Sequence, residues 1–158
     1  MDITFRTPEG RFNYRVCAVI LWEGKLLAMR DECAPYFYLP GGRTALHETA
    51  QEAVLRELRE ELGIEARIER PLWLNQAFFT ESVSGERYHE LCLYFLVDVS
   101  QTPLLSWGEC FERTEGKHLH RFQWLPFAQL EQEYLYPLFI KKEIFRLPEQ
   151  LELIQTCE

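Results

Sequence analysis

Residues 39–66 read LPGGRTALHETAQEAVLRELREELGIEA, and the fold and the chemistry both hang on this stretch. Pro40-Gly41-Gly42 breaks an extended segment. Thr49 and Glu52 have the T-x-x-E spacing of a capping box, so a helix is predicted to start there. Gly63 supplies the residue that most easily turns left-handed and closes a helix. At 100° per residue, Val54, Leu55, Leu58 and Leu62 fall in one arc and form a core stripe. Glu57, Glu60 and Glu61 share a second arc beside it, at spacing i, i+3, i+4. Ala50 and Ala53 lie on that face one and two turns earlier, and their small size predicts room for an approaching group.

The acidic arc costs energy. Glu57 and Glu61 are like charges at i, i+4, which costs about 0.2–0.5 kcal/mol in an isolated helix. Glu60 and Glu61 also stand in the last turn, where the helix dipole disfavours an anion by about 0.3–1 kcal/mol. Arg56, four residues before Glu60, offsets part of this. A divalent cation removes the conflict, and clustered carboxylate oxygens suit a hard ion such as Mg²⁺ or Mn²⁺. Taken alone, E-x-x-E-E reads as a solvated acidic face. The glycine turn, the loop, the capped start and the glycine stop around it shift the reading toward a site.

Working outward, YRVCAVILWEGKLLAMRD predicts two strands joined at EGK. RIERPLWLNQAFF and RYHELCLYFLVDVS predict two more. Residues 101–119 read as an irregular loop, HRFQWLPFAQL as a strand leading to a short helix, and PLFIKKEIFRLPEQ as a terminal helix. No repeat, linker or low-complexity tract interrupts the 158 residues, which predicts one domain over 1–158. Strands interrupted by helices, without a regular βαβ alternation, predict an α+β sandwich on a mixed sheet.

Composition narrows the function. The chain is 47% apolar and carries a net charge of −8, enough for a core and wrong for a general binder of duplex nucleic acid. Five dispersed cysteines without a CxxC pair predict free thiols rather than a disulfide framework or a zinc site. The longest apolar run, VCAVILW, is far too short to span a membrane, and no signal peptide is read at the start. These features predict a cytoplasmic protein without a membrane partner.

Gly42, Glu48, Arg56-Glu57-Leu58, Glu60-Glu61 and Gly63-Ile64 together resemble the Nudix box without a mismatch, nine positions over 23 residues. The hairpin before LPGG and the later FQWLPFAQL are also similar to that family. The resemblance implies an αβα sandwich that hydrolyses a phosphoanhydride bond in a nucleoside diphosphate linked to another group, with Mg²⁺ or Mn²⁺. Nucleoside triphosphates, nucleotide sugars and ADP-ribose are such substrates. It implies that Glu57, Glu60 and Glu61 hold the metal, joined by the Gly41 carbonyl. It assigns Glu57 or a downstream glutamate to the attacking water, Arg56 to holding the carboxylates, and Glu48 to support with Gly42 and Gly63. A nucleotide-binding or regulatory module that keeps the fold without turnover is the alternative. Such a module would be expected to lack one of the three glutamates, and none is missing. The marks of dinucleotide or coenzyme A preference are absent. NQAFFTES stands where a proline or tyrosine would signal ADP-ribose or dinucleoside polyphosphates.

Other residues stay open. Glu90, or Glu115 with its neighbours Glu109 and Glu112, is a candidate general base. Arg43 and Arg15 are candidate phosphate donors. Tyr36 either stacks on a base or packs in the core. His118-x-His120 lacks the further ligands a zinc site needs. The aromatic stretch YLYPLFIKKEIF packs on its own domain or on a second copy, which leaves a homodimer open.

Overall fold

A computed structural model describes residues 1–158. Nine strands form one sheet: β1 (Thr4–Thr7), β2 (Gly10–Trp22), β3 (Lys25–Asp31), β4 (Gly41–Arg43), β5 (Arg67–Thr80), β6 (Arg87–Asp98), β7 (Cys110–Glu115), β8 (His118–Pro126) and β9 (Glu152–Cys157). The order is β7-β8-β3-β2-β6-β5-β9, with β1 and β4 both pairing β2. The sheet is mixed: β2 runs parallel to β6 and β5 parallel to β9, and the other pairings are antiparallel. The α+β reading holds.

The hairpin β2–β3 turns at Glu23-Gly24, both at positive φ, the conformation that matches the twist of the flanking strands. The helix α1 (Ala50–Leu62) is built as its ends dictate. The Thr49 hydroxyl accepts from the Glu52 N–H, and the Glu52 carboxylate accepts from the Thr49 N–H. Gly63 closes the helix at φ 67° and donates its N–H to the Arg59 carbonyl.

The two sheet faces bury different cores. Val54, Leu58 and Leu62 of α1 meet Val16, Ala18, Ile20, Phe95 and Val97 on one face. Ala50 and Ala53 belong to this core, so their small size lets the helix close onto the sheet rather than leaving room for a ligand. The other face buries Val19, Trp73, Tyr94 and Leu125 under Leu130, Leu135, Ile140 and Ile144. These last residues come from a 3-10 turn (Phe127–Gln132), a connecting segment and the short helix α2 (Ile140–Glu143).

Three stretches depart from the sequence reading. Part of the expected loop 101–119 is strand β7, whose Phe111 stacks on Phe122 of β8. That strand offers a single apolar residue facing inward, too little for a hydropathy pattern to show. The expected terminal helix keeps only α2, because Pro137 and Pro148 bracket it. The strand β9 was not expected, since only Ile154 among its residues packs on the core.

Candidate active site

Arg56 ties the box together. Its Nε and Nη2 donate to the two Glu48 oxygens at 2.7 and 2.9 Å, a two-pronged pair. Nη2 also donates to the Arg43 carbonyl at 3.0 Å, and Nη1 to Glu57 Oε1 at 2.9 Å. The i, i+4 partner Glu60 lies at 3.3 Å from Nη1 and stays largely in solvent. Glu48 in turn accepts the Ala45 N–H at 2.9 Å. The loop from Gly41 to Glu48 is thereby fastened to the helix. Hydrogen bonding to Arg56 is the main reason that the Glu48 carboxyl titrates below its ordinary range.

Glu57 and Glu61 behave differently. Glu61 is buried, and its Oε1 accepts the Gly41 N–H at 2.9 Å. Burial pushes its carboxyl well above the carboxylate range, and the charge of Glu57 adds to this; the Gly41 N–H opposes it. Glu57 is also raised, first by burial and then by Glu60 and Glu115, against the hydrogen bond from Arg56. Glu61 is within 4 Å of no cationic group. Gly42 leaves room beside them, because a Cβ there would displace the Glu57 carboxyl.

Among the four candidate bases, Glu115 adds its charge to both raised carboxyls. It ends β7, which packs against α1, and it contacts His120 Nε2 at 3.2 Å. His120 Nδ1 is buried without a partner. Glu109 is paired with Lys25, and Glu112 with Arg121. Glu90 stands on the sheet face away from α1, where Asn13 donates to it at 3.3 Å. Arg43 lies 3.9 Å from Asp2 on β4, and Arg15 is its register partner on β2. Tyr36 packs edge-on against Tyr136 with centroids 5.2 Å apart. The sequence reading marked the aromatic stretch that contains Tyr134 and Tyr136 without joining it to Tyr36, and it did not single out the buried Asn13 and Asn75.

No three acidic, His or Cys side chains stand close enough together to enclose an ion unaided. Arg56 contacts Glu57 at 2.9 Å and Glu60 at 3.3 Å, so Glu61 is the carboxylate left without a cation, and the charge of Glu115 acts on both Glu57 and Glu61. A buried carboxylate without a cationic partner, beside a second carboxylate, fits Mg²⁺, which keeps several waters and takes one or two carboxylates plus phosphate oxygens.

The NUDIX domain family model matches residues 11–146. This chain belongs to the NUDIX family. A curated relative, an ADP-ribose pyrophosphatase of Methanocaldococcus jannaschii, is 30% identical over 87 residues. That match covers 53% of this chain and 49% of the relative, about half the length of each. A MutT protein from Bacillus halodurans has the same fold, with a TM-score of 0.62 at 14% identity over 92% of this chain and 89% of that one. So does a NUDIX hydrolase from Nitrosomonas europaea, with a TM-score of 0.59 at 20% identity over 84% and 86% of the two chains. The ORF135 protein of E. coli is 25% identical over 82% and 84%, with a TM-score of 0.52. In this NUDIX domain the box is the run from Gly42 to Ile64, and the hydrogen bonds of Arg56 and Glu61 give that run its shape. No helix is long and apolar enough to cross a membrane.

Proposed function

We propose that residues 1–158 act as one catalytic unit that hydrolyses the phosphoanhydride bond of a nucleoside diphosphate joined to a second group, with Mg²⁺ or Mn²⁺. ADP-ribose is the first substrate to test, because the curated relative carries that activity in its name. The observation that carries the reading is the buried Glu61 carboxylate, held by the Gly41 N–H, beside Glu57 and without a cationic partner. An ionised carboxylate is costly in such a place unless a cation joins it.

Glu57, Glu61 and the backbone at Gly41 would hold the cation. When bound, the cation would neutralise charge on the diphosphate and lower the pKa of an attacking water. Arg56 holds Glu57 and the loop in register, so that the diphosphate meets a preformed surface. Glu115 takes the proton of the attacking water, with His120 steering its carboxylate. Arg43, at the edge of the loop, takes phosphate oxygens in exchange for its loose contact with Asp2.

The test is cleavage of ADP-ribose, nucleotide sugars, nucleoside triphosphates and dinucleoside polyphosphates with Mg²⁺ or Mn²⁺, read by separating the nucleotide product from the other phosphorylated half. EDTA and Glu61→Gln are the controls. Metal-dependent cleavage of one class that Glu61→Gln abolishes supports the reading. Cleavage that survives EDTA or the substitution refutes it.

A further inference from the structure

The helix α1 covers only part of its side of the sheet. It packs on Val16, Ala18 and Ile20 of β2 and on Phe95 and Val97 of β6. Strand alternation carries the same face on to Tyr14 and Phe12 of β2 and to Leu91 and His89 of β6, outside that core. The ring contacts agree. Phe5 of β1 stacks on Phe12 at 5.1 Å, Phe12 meets His89 edge-on at 5.7 Å, and His89 meets Phe78 of β5 at 4.5 Å. A strip of rings thus crosses four neighbouring strands. The register places Tyr14, Leu91, Gln76 and Gln155 in a second row beside it. Leu93, Leu74 and Leu153 form a third, next to the helix-side core.

This surface meets water without being built for it. Leu153 is 69% exposed and Phe5 56%, and Phe78 and His89 are exposed as well. Of the whole chain 27% is Asp, Glu, Lys or Arg, yet none of these stands in the three rows, and Arg87 marks their rim. A sheet face left to solvent ordinarily carries polar residues. The terminal segment does not cover it, because Leu135, Ile140 and Ile144 pack into the core of the opposite face. Five strands at about 4.8 Å and three rows at about 6.7 Å span roughly 500 Å². That is near the upper end of apolar patches on monomers, about 300–600 Å². It falls short of the about 800 Å² per partner of a standard interface, so the area suits a weak dimer.

We infer that this face docks on the same face of a second copy, sheet against sheet, with the ring strip of Phe5, Phe12, His89 and Phe78 at its centre. Charge selects the occupant. Each chain carries a net charge of −8, so two copies repel wherever their acidic groups meet. Contact through a face without Asp or Glu keeps those groups apart. The same face offers no charge by which a strongly acidic or basic partner would be recognised. Symmetry fits as well. A two-fold axis running along β6 keeps the strands of the two sheets close to aligned, as packed sheets are. It also lays each row on its own counterpart, rings on rings and leucines on leucines. The face carries no residue of the box, so the dimer is independent of the hydrolase reading.

Sedimentation velocity on the full chain, from low micromolar to near-millimolar concentration, tests it. A reducing buffer keeps the exposed Cys33, Cys110 and Cys157 from forming disulfides between copies. Wild type should pass from monomer to dimer within this range. Phe78→Glu and Leu153→Glu each put a charge on the face that the partner leaves unpaired, and each should raise the dissociation constant by about tenfold or more. Both side chains are exposed, so the monomer should keep its fold, which circular dichroism checks. Phe5→Leu keeps the surface apolar and should stay within about threefold of wild type. Leu138→Glu alters a leucine of the terminal segment that is 48% exposed, and it should leave the dimer unchanged. A wild-type monomer at every concentration overturns the dimer and leaves the face to a partner of other chemistry. A dimer that survives both Phe78→Glu and Leu153→Glu overturns it too. So does a dimer lost in Leu138→Glu alone, which would move the interface to the terminal segment.

Discussion

The two faces of the sheet solve opposite problems. Against α1, anionic groups are crowded together: burial with the charges of Glu60 and Glu115 raises the Glu57 carboxyl, burial with the charges of Glu57 and Glu115 raises that of Glu61, and Arg56 pairs with Glu57 but not with Glu61. On the far face the polar groups are paired: Asn13 donates to Glu90, and Asn75 shares hydrogen bonds with Thr156. Charge without a local partner is costly in a folded chain, and on the α1 face it belongs to the buried Glu61. A bound cation would relieve it.

Substitutions break this contrast most sharply on the acidic face. Glu61→Gln should lower kcat by several orders of magnitude while preserving the fold, because the amide still accepts the Gly41 N–H and carries no charge for a cation. Circular dichroism and a steady-state assay check the two halves of that statement. In EDTA near neutral pH the same variant should melt a few degrees higher than wild type, since a buried, uncompensated charge is gone. A lower melting temperature would show that Glu61 is compensated in some other way.

Gly42→Ala should come next, with a loss of about a hundredfold in kcat/KM. Its Cβ meets the Glu57 carboxyl, and displacement of a catalytic group by a fraction of an ångström carries that scale of penalty. Full activity would mean that Glu57 can move without consequence. Arg56→Lys tests the fastening of the loop. A lysine can keep one of the contacts to Glu48, Glu57 and the Arg43 carbonyl but not the fork, so activity should fall about tenfold or more. The unfolding free energy should fall by about 1–3 kcal/mol, read from urea titration.

The smallest effect is in the pH dependence of the metal-free protein. Folded Glu61 and Glu57 hold their protons more tightly than the unfolded chain, in which a glutamate titrates near about 4.3. Over the window from that value up to the raised folded ones, the folded state binds more protons, so stability falls as pH rises. Glu48 runs the other way. Its lowered carboxyl contributes stability that is fully present above the unfolded value and is lost as pH falls through the folded one. Urea midpoints in EDTA should therefore drift down from about pH 5 upward in wild type. The drift should flatten in Glu61→Gln. An unchanged slope in that variant would place the protons elsewhere.

How much of this was legible varies with the range of the contacts. The box could be read from residues 39–66 because its parts lie within two or three helical turns of one another. The capping box, the glycine stop and the core stripe all appear where their spacing puts them. The strands β7 and β9 were hidden because an edge strand needs few apolar residues facing inward, so no alternation marks it. Arg15 and Tyr36 were visible as residue types. The meeting of Tyr36 with Tyr134 and Tyr136 was not, since it joins positions about a hundred apart in the chain.

The sequence by itself determined the helix, its ends, and the carboxylates on one of its faces, because period and spacing are local properties of the chain. Only the tertiary structure decided which of those carboxylates is buried, that the charge of Glu115 rather than that of Glu90 acts on them, and that Arg15 and Glu90 share the opposite face. Burial and field are set by neighbours on other strands, and strand order is a long-range choice that no window of sequence contains.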